Sequence, residues 1–394
     1  MTRKTSRSRI SRRQVLKGTA AAATVLAAPS IITGPIRRAH AADDVIRIMG
    51  VTTVALPDWS EFEKDTGLKV EFTPIDDAIG TFLHEVEAND AGERYDLFAA
   101  FSGPWKGLAE KGHLLQVDSS RMANWEGVSE SVQTSPLIMG GEGALWSVPL
   151  VMNADSFAYF PELVGAPPAP EPVSWNILFD NEATKGMVAL DDSFFTLQHC
   201  AAYLKFHNLA DIGNPGNLTA SECESVANFL IERKKAGQFR TFWVTYDEQV
   251  SLLVNQEVAA ESAWEPAALE ARAQGVPVEY AWTIEGYDKW MINAFIPKQA
   301  QDRGNLDQIY TALNWFLGGA YAAQIAVLRG YVTPRSDLGM AYGEAAGWAS
   351  ADVAAIEDTI SKLDKKFAHE LFWNSGWPDD IESYEREMSR FKNA

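Results

Sequence analysis

The stretch that decides the reading is Tyr287–Pro297, YDKWMINAFIP. Aromatic, β-branched and small residues closed by a proline read as a strand, yet Trp290 and Asn293 set an indole and an amide inside its apolar run. Both residues are accounted for if the segment crosses between two lobes and presents them to a cleft. Ala144–Phe160, ALWSVPLVMNADSFAYF, has the same character and is long enough to run extended from one lobe to the other.

Ahead of the first crossing the chain alternates. Val45–Met49 (VIRIM) reads as a strand, Asp58–Asp65 as a helix stopped by Gly67, and Leu68–Phe72 (LKVEF) as a second strand. Ile79, Phe82, Leu83 and Val86 then fall at i, i+3, i+4 and i+7, one apolar helical face, before a third strand in Tyr95–Phe101 (YDLFAAF). Strand–helix–strand alternation predicts an α/β lobe with a parallel sheet covered by helices. Ligands on such sheets bind beyond the carboxyl ends of the strands, where Thr52, Thr53, Phe101 and Ser102 stand.

Between the crossings lies a second α/β unit. Its parts are the strand GMVALDD, a helix through Leu197, Ala201 and Leu204, a helix from Glu222 to Lys235, and the strand EVAAESAW with another helix after it. Beyond the second crossing, Leu306–Leu328 reads as helical with a break at Gly318-Gly319, and Val353, Ile356, Ile360, Leu363 and Phe367 form a heptad-like stripe. The expected division is residues 42–150 with 291–340 for the first lobe and 151–290 with 341–394 for the second. A cleft between lobes is the preferred place for a small-molecule site.

The first 41 residues read as an export signal: a basic start, a modestly apolar stretch from Gly18 to Gly34, and a small-x-small cleavage site at Ala39-His40-Ala41. Ser11–Lys17, SRRQVLK, resembles the twin-arginine pattern. The apolar stretch is shorter than the ~18–20 residues a spanning helix needs, and Pro29 breaks it. Removing the signal leaves 25 basic residues against 53 acidic ones, a net charge of −28. That excess argues against nucleic acid and anionic membrane surfaces as partners. Cys200 and Cys223 are the only cysteines; they form no metal-ligand pattern, and export permits either a disulfide or two buried thiols.

The order of these segments resembles the extracytoplasmic solute-binding proteins of bacterial ABC importers, in particular the spermidine/putrescine-binding group. The similarity rests on FEKDTGLKVEF, LWSVPLVMNADSFAY, VSWNILFDNEATKGMVALDD, WMINAFIPKQAQDRGNLDQIYTALNWFL and RGYVTPRS, and it runs over nearly the whole mature chain. The resemblance implies a two-lobed, type II periplasmic-binding-protein fold, a periplasmic location, a monomer that delivers its solute to an inner-membrane ABC permease, and no cofactor, metal or catalysis. Carried over by position, Trp264 and Trp290 match two tryptophan walls, Asp192 an acid that takes an amine, and Trp373-Asn374 a tryptophan and a glutamine. Departures are equally plain. Phe195 and Ile292 stand where the group has acids, Phe101 and Gly103 flank Ser102 where it has a serine and a tyrosine, and Glu265 is an acid it does not usually carry.

A buried ammonium without a partner is costly, so a triamine pocket wants several acids. This chain offers Asp192 and Glu265, within an enclosure of Phe101, Phe195, Trp264, Trp290 and Trp373. The expected solute is therefore a small organic amine with fewer charges than spermidine, a quaternary ammonium held by aromatic faces, or a zwitterion whose anionic end meets Ser102, Thr52, Asn153 or Asn293. Each residue also has a plainer reading. Asp192, or Asp191 beside it, can cap the following helix, Glu265 can be a solvated helix-start acid, and Phe195 and the tryptophans can be core. The enzymatic rival is an exported glycoside hydrolase or sugar-binding protein, with Asp191-Asp192 or Asp76-Asp77 as a carboxylate pair. The five histidines left after signal removal are scattered, and neither HExxH, Gly-x-Ser-x-Gly nor GxGxxG occurs.

Overall fold

Short apolar runs punctuated by glycine and proline fold as the alternation predicts. The computed structural model describes residues 44–76, 79–369, 372–374 and 377–394; the export signal and Asp77 lie outside them. The strands are β1 (Val45–Val51), β2 (Lys69–Ile75), β3 (Leu97–Phe101), β4 (Val148–Tyr159), β5 (Val188–Asp191), β6 (Phe239–Trp243), β7 (Ala260–Ala263), β8 (Glu279–Tyr280), β9 (Asp288–Phe295) and β10 (Phe372–Trp373). The helices that position the site are α1 (Ser60–Thr66), α2 (Ile79–Glu87), α3 (Phe195–Phe206), α4 (Ala220–Lys235), α5 (Tyr246–Val254) and α6 (Glu265–Ala273). They continue as α7 (Leu306–Phe316), α8 (Gly319–Arg329), α9 (Asp337–Ala345), α10 (Ser350–Phe367) and α11 (Ile381–Lys392). Contacts divide the chain into a first unit, up to Met152 with Ile292–Ser361, and a second, Asn153–Met291 with Lys362–Ala394. The chain passes from one to the other within β4, within β9 and within α10.

In the first unit β1 is parallel to both neighbours, Ile48 standing opposite Phe72 of β2 and Leu97 of β3. Gly50 is paired with Ala99, and a Cβ on it would meet the Ala99 Cβ at 2.6 Å. α1 stops at Gly67, whose left-handed φ of 73° suits a residue without a side chain. α2 turns Phe82 and Val86 inward, and the Phe82 ring meets Phe98 edge-on at 5.8 Å. β9 pairs with β3 in the antiparallel sense, Phe295 opposite Phe98 and Ile292 opposite Phe101. The crossing strand thus caps a parallel set with one antiparallel member.

Residues 341–361 group with this first unit, whereas the boundaries read from the sequence put them in the second. Packing is the reason. Gly339 lets α9 approach α8 so closely that a Cβ would stand 3.1 Å from the Ala323 nitrogen, and Ile356 of α10 is buried with Ala323 and Ala326.

In the second unit β5 lies parallel to β6 and to β7, while β4 is antiparallel to β7 and β8. One face is covered by α3, α4 and α11, which bury Leu197, Leu204, Val226, Leu230, Tyr384 and Phe391. α4 begins with a capping box in which Thr219 and Glu222 satisfy each other's backbone N–H. Cys200 and Cys223 are free, buried thiols of this core. The other face packs on α5 and α6 through Leu253, Ala267, Ala268 and Ala271.

Candidate functional site

Within the first unit the parallel register gathers residues at the carboxyl ends of β1 and β3. Thr52 follows β1, exposed, and its carbonyl accepts from Arg329 Nη2 at 2.8 Å. Phe101 closes β3 half-buried and Ser102 follows it fully buried. Asn293 is also fully buried, its amide donating to Ser147 Oγ at 3.0 Å and to the Leu137 carbonyl at 3.4 Å. The amide that looked out of place in YDKWMINAFIP therefore ties β9 to neighbouring loops of its own unit.

Within the second unit the ends of β5, β6 and β7 bring together Asp191, Asp192, Trp243 and Trp264. The Trp264 ring meets Trp243 edge-on at 5.4 Å and stacks on Tyr246 at 6.5 Å. Phe195 opens α3, half-buried and edge-on to Phe194 at 4.7 Å. Neither aspartate caps α3, whose N-cap is Phe194 without a side-chain bond. Asp192 instead pairs with Lys392 at 2.5 Å. Asp191 is buried, and burial pushes its carboxyl up to about 7 against the His199 side chain and the Ser193 hydroxyl. Glu265 is buried rather than solvated: Lys362 lies 2.7 Å and Lys366 3.5 Å away. Burial acts to raise its pKa, but the two ammonium groups outweigh burial and hold it below the usual carboxylate range. Both acids that the sequence offered to the solute thus face lysines of the same chain, Glu265 in a buried pair and Asp192 in a partly exposed one.

A different set of acids surrounds Trp290. Its indole N–H donates to Asp155 Oδ2 at 2.6 Å, and Asn153 Nδ2 donates to Asp155 Oδ1 at 2.6 Å. Two residues before Trp290, Asp288 accepts from His199 Nε2 and from Asn374 Nδ2, each at 2.9 Å. Asn374 arrives there because β10 runs beside β9, with the Trp373 backbone paired to Lys289. One further acid is buried on β7: Glu261, opposite Ala158 and Ala189 in the register. Its two oxygens find no donor among the described residues, and burial raises its pKa far above the usual carboxylate range.

The model of the family described as bacterial extracellular solute-binding protein matches residues 59–355. The chain belongs to that family. Among curated relatives, the spermidine/putrescine-binding periplasmic protein of Escherichia coli is 24% identical over 321 residues, 79% of this chain and 83% of the relative. Solved structures similar in fold include the following two. The spermidine/putrescine ABC transporter substrate-binding protein of Streptococcus pneumoniae has a TM-score of 0.68 at 17% identity, covering 89% of this chain and 98% of that one. The binding protein AgtB of A. tumefaciens, solved with agropinic acid, has a TM-score of 0.59 at 15% identity, covering 89% and 99%. The fold is the type II periplasmic-binding-protein fold that the segment order implied, and the relatives are binding proteins, not hydrolases.

For this solute-binding protein, Trp290, Asn153 and Asn374 are candidates named from the sequence, and the structure sets beside them Asp155, Asp288 and His199, which the sequence did not single out. The signal was present as a spacing of two. Asn153 and Asp155, and again Asp288 and Trp290, are polar positions on one face of otherwise apolar strands. Among the described residues no helix is long and apolar enough to cross a membrane, and no three His, Cys, Asp or Glu side chains are grouped to hold a metal.

Proposed function

We propose that this chain is the periplasmic, monomeric solute-capturing component of an ABC importer, exported by its twin-arginine signal, and that it binds without turnover and hands its solute to an inner-membrane permease. Its solute is a small organic amine carrying fewer positive charges than spermidine: a mono- or diamine, a quaternary ammonium or a zwitterion. The observation that carries this reading is the pairing of Glu265 with Lys362 and Lys366 and of Asp192 with Lys392, together with Phe195 and Ile292 at positions where the resemblance expects acids. The carboxylates by which the resemblance would balance a trication are thus paired with lysines or replaced by apolar side chains, and a buried ammonium without a partner is costly. Trp264 and Trp290 supply ring faces on which a cationic amine gains about 0.5–2 kcal/mol each. The names of the relatives, which bind spermidine and putrescine, support the amine class.

A thermal-shift panel of polyamines, betaines, amino acids and small sulfonates tests it, since a ligand of the folded state raises the melting point by mass action. A small amine or betaine should give the largest shift, and Trp290→Ala should abolish it. A larger shift with spermidine than with any mono- or diamine would overturn the charge argument, and turnover of a glycoside would overturn the binding role.

A further inference from the structure

We infer that the ammonium of the solute is taken by Asp155 and Asp288, two carboxylates on facing stretches of β4 and β9 in the second unit, and that it must carry N–H bonds. The inference rests on the amine reading above and names the acids that serve it.

Strand periodicity sets the geometry. Asn153 and Asp155 share one face of β4, Asp288 and Trp290 share one face of β9, and the indole N–H of Trp290 reaching Asp155 at 2.6 Å makes these the same face. All four are at most 7% exposed. The donors present are already committed. Asn153 Nδ2 and Trp290 Nε1 point at Asp155, and His199 Nε2 and Asn374 Nδ2 point at Asp288 Oδ2. What remains is acceptors: Asn153 Oδ1 and Asp288 Oδ1 are buried and find no partner among the described residues. Buried acceptors without donors are costly. A primary ammonium brings three N–H donors and one positive charge, which matches two neighbouring carboxylates and their orphaned acceptors. A trimethylammonium brings the charge and no donor.

The charged and titratable groups facing Asp155 are Asp288 from β9, Lys366 from α10, His199 from α3 and Tyr280 from β8. Lys366 does not fill the role of the amine, because its ammonium is held by Glu265 and the Ala154 carbonyl over the faces of Tyr280 and Tyr287. Burial first, then the charge of Asp288, push the Asp155 carboxyl up to about 7. An ammonium placed beside it favours the carboxylate. Binding at pH 7 therefore drives a proton from Asp155 into solvent, while the solute keeps its own.

The test is calorimetry on the full mature chain, with putrescine and its bis-trimethylammonium analogue as probes, each in phosphate and in Tris at pH 7. Putrescine should bind at least about tenfold more tightly than the analogue, as expected when charge-assisted hydrogen bonds are lost, and its apparent enthalpy should differ between buffers because a proton is released. Asp155→Asn and Asp288→Asn should each weaken putrescine by about tenfold or more with an unchanged circular dichroism spectrum. Equal binding of the analogue, or identical enthalpy in both buffers, would overturn the inference without any variant. So would wild-type affinity in both Asn variants while Trp290→Ala still loses putrescine, an outcome that leaves the amine reading standing. If the wild-type chain binds no amine of either kind, the amine reading falls and this inference with it.

Discussion

Lys362 Nζ lies 2.7 Å from Glu265 Oε1, and one helical turn later Lys366 reaches the other oxygen. The side chains of Glu265 and Lys366 are 6% and 1% exposed, so this ion pair is removed from water on both sides. Pairing offsets desolvation in such a site, and removing one partner leaves a buried charge uncompensated. Glu265→Gln should therefore destabilise the chain by about 3–5 kcal/mol, read as a lower urea midpoint at an unchanged m-value. A loss below about 1 kcal/mol, the range of an exposed pair, would mean that the lysines do not depend on Glu265.

Glu261 works in the opposite direction. Burial raises its folded-state pKa far above the unfolded value, so below the unfolded pKa both states are protonated and the group is silent. As pH rises past that point the unfolded chain ionises first and binds fewer protons than the folded one, and stability falls until the folded pKa is passed. Asp155 and Asp191, each raised to about 7 chiefly by burial, add losses of the same sign between the ordinary aspartate range and pH 7. Urea unfolding should find Glu261→Gln close to wild type at pH 4 and increasingly more stable than wild type toward pH 7. An advantage that is flat with pH would show that Glu261 ionises in the folded chain.

The Gly50–Ala99 approach makes a steric prediction. A methyl on residue 50 would lie 2.6 Å from the Ala99 Cβ and 2.7 Å from its carbonyl oxygen, and the oxygen belongs to the β3 backbone, which cannot turn aside as a side chain can. Gly50→Ala should cost at least about 1–3 kcal/mol, the range for overpacking a core, again by urea midpoint. The usual strand preference for Ala over Gly predicts a gain, so the sign alone discriminates.

Much of this was legible before the fold was in hand. YDKWMINAFIP is β9, Gly67 stops α1, and the face of Ile79, Phe82 and Val86 is α2, because each depends on residues within a few positions of one another. The roles of individual acids were not legible in the same way. Glu265 reads as a solute ligand or a solvated helix start until Lys362 and Lys366 are brought to it from nearly a hundred residues downstream, and Asp155 reads as one polar residue in an apolar run until Trp290 arrives from the other crossing strand. Period and composition assign a side chain to a face; they do not name what faces it. The direction of β9 was hidden for the same reason, since alternation looks identical in a parallel and an antiparallel strand.

The pairing of β9 with β3 also sets a timetable for synthesis. β3 is complete at Phe101, yet the neighbour that covers its open edge ends at Phe295, so a ribosome must translate most of the second unit before the first can finish its sheet. Until then the nascent chain carries an apolar strand edge of the kind that pairs with strangers. The first sheet is therefore completed late, after most of the chain has been made.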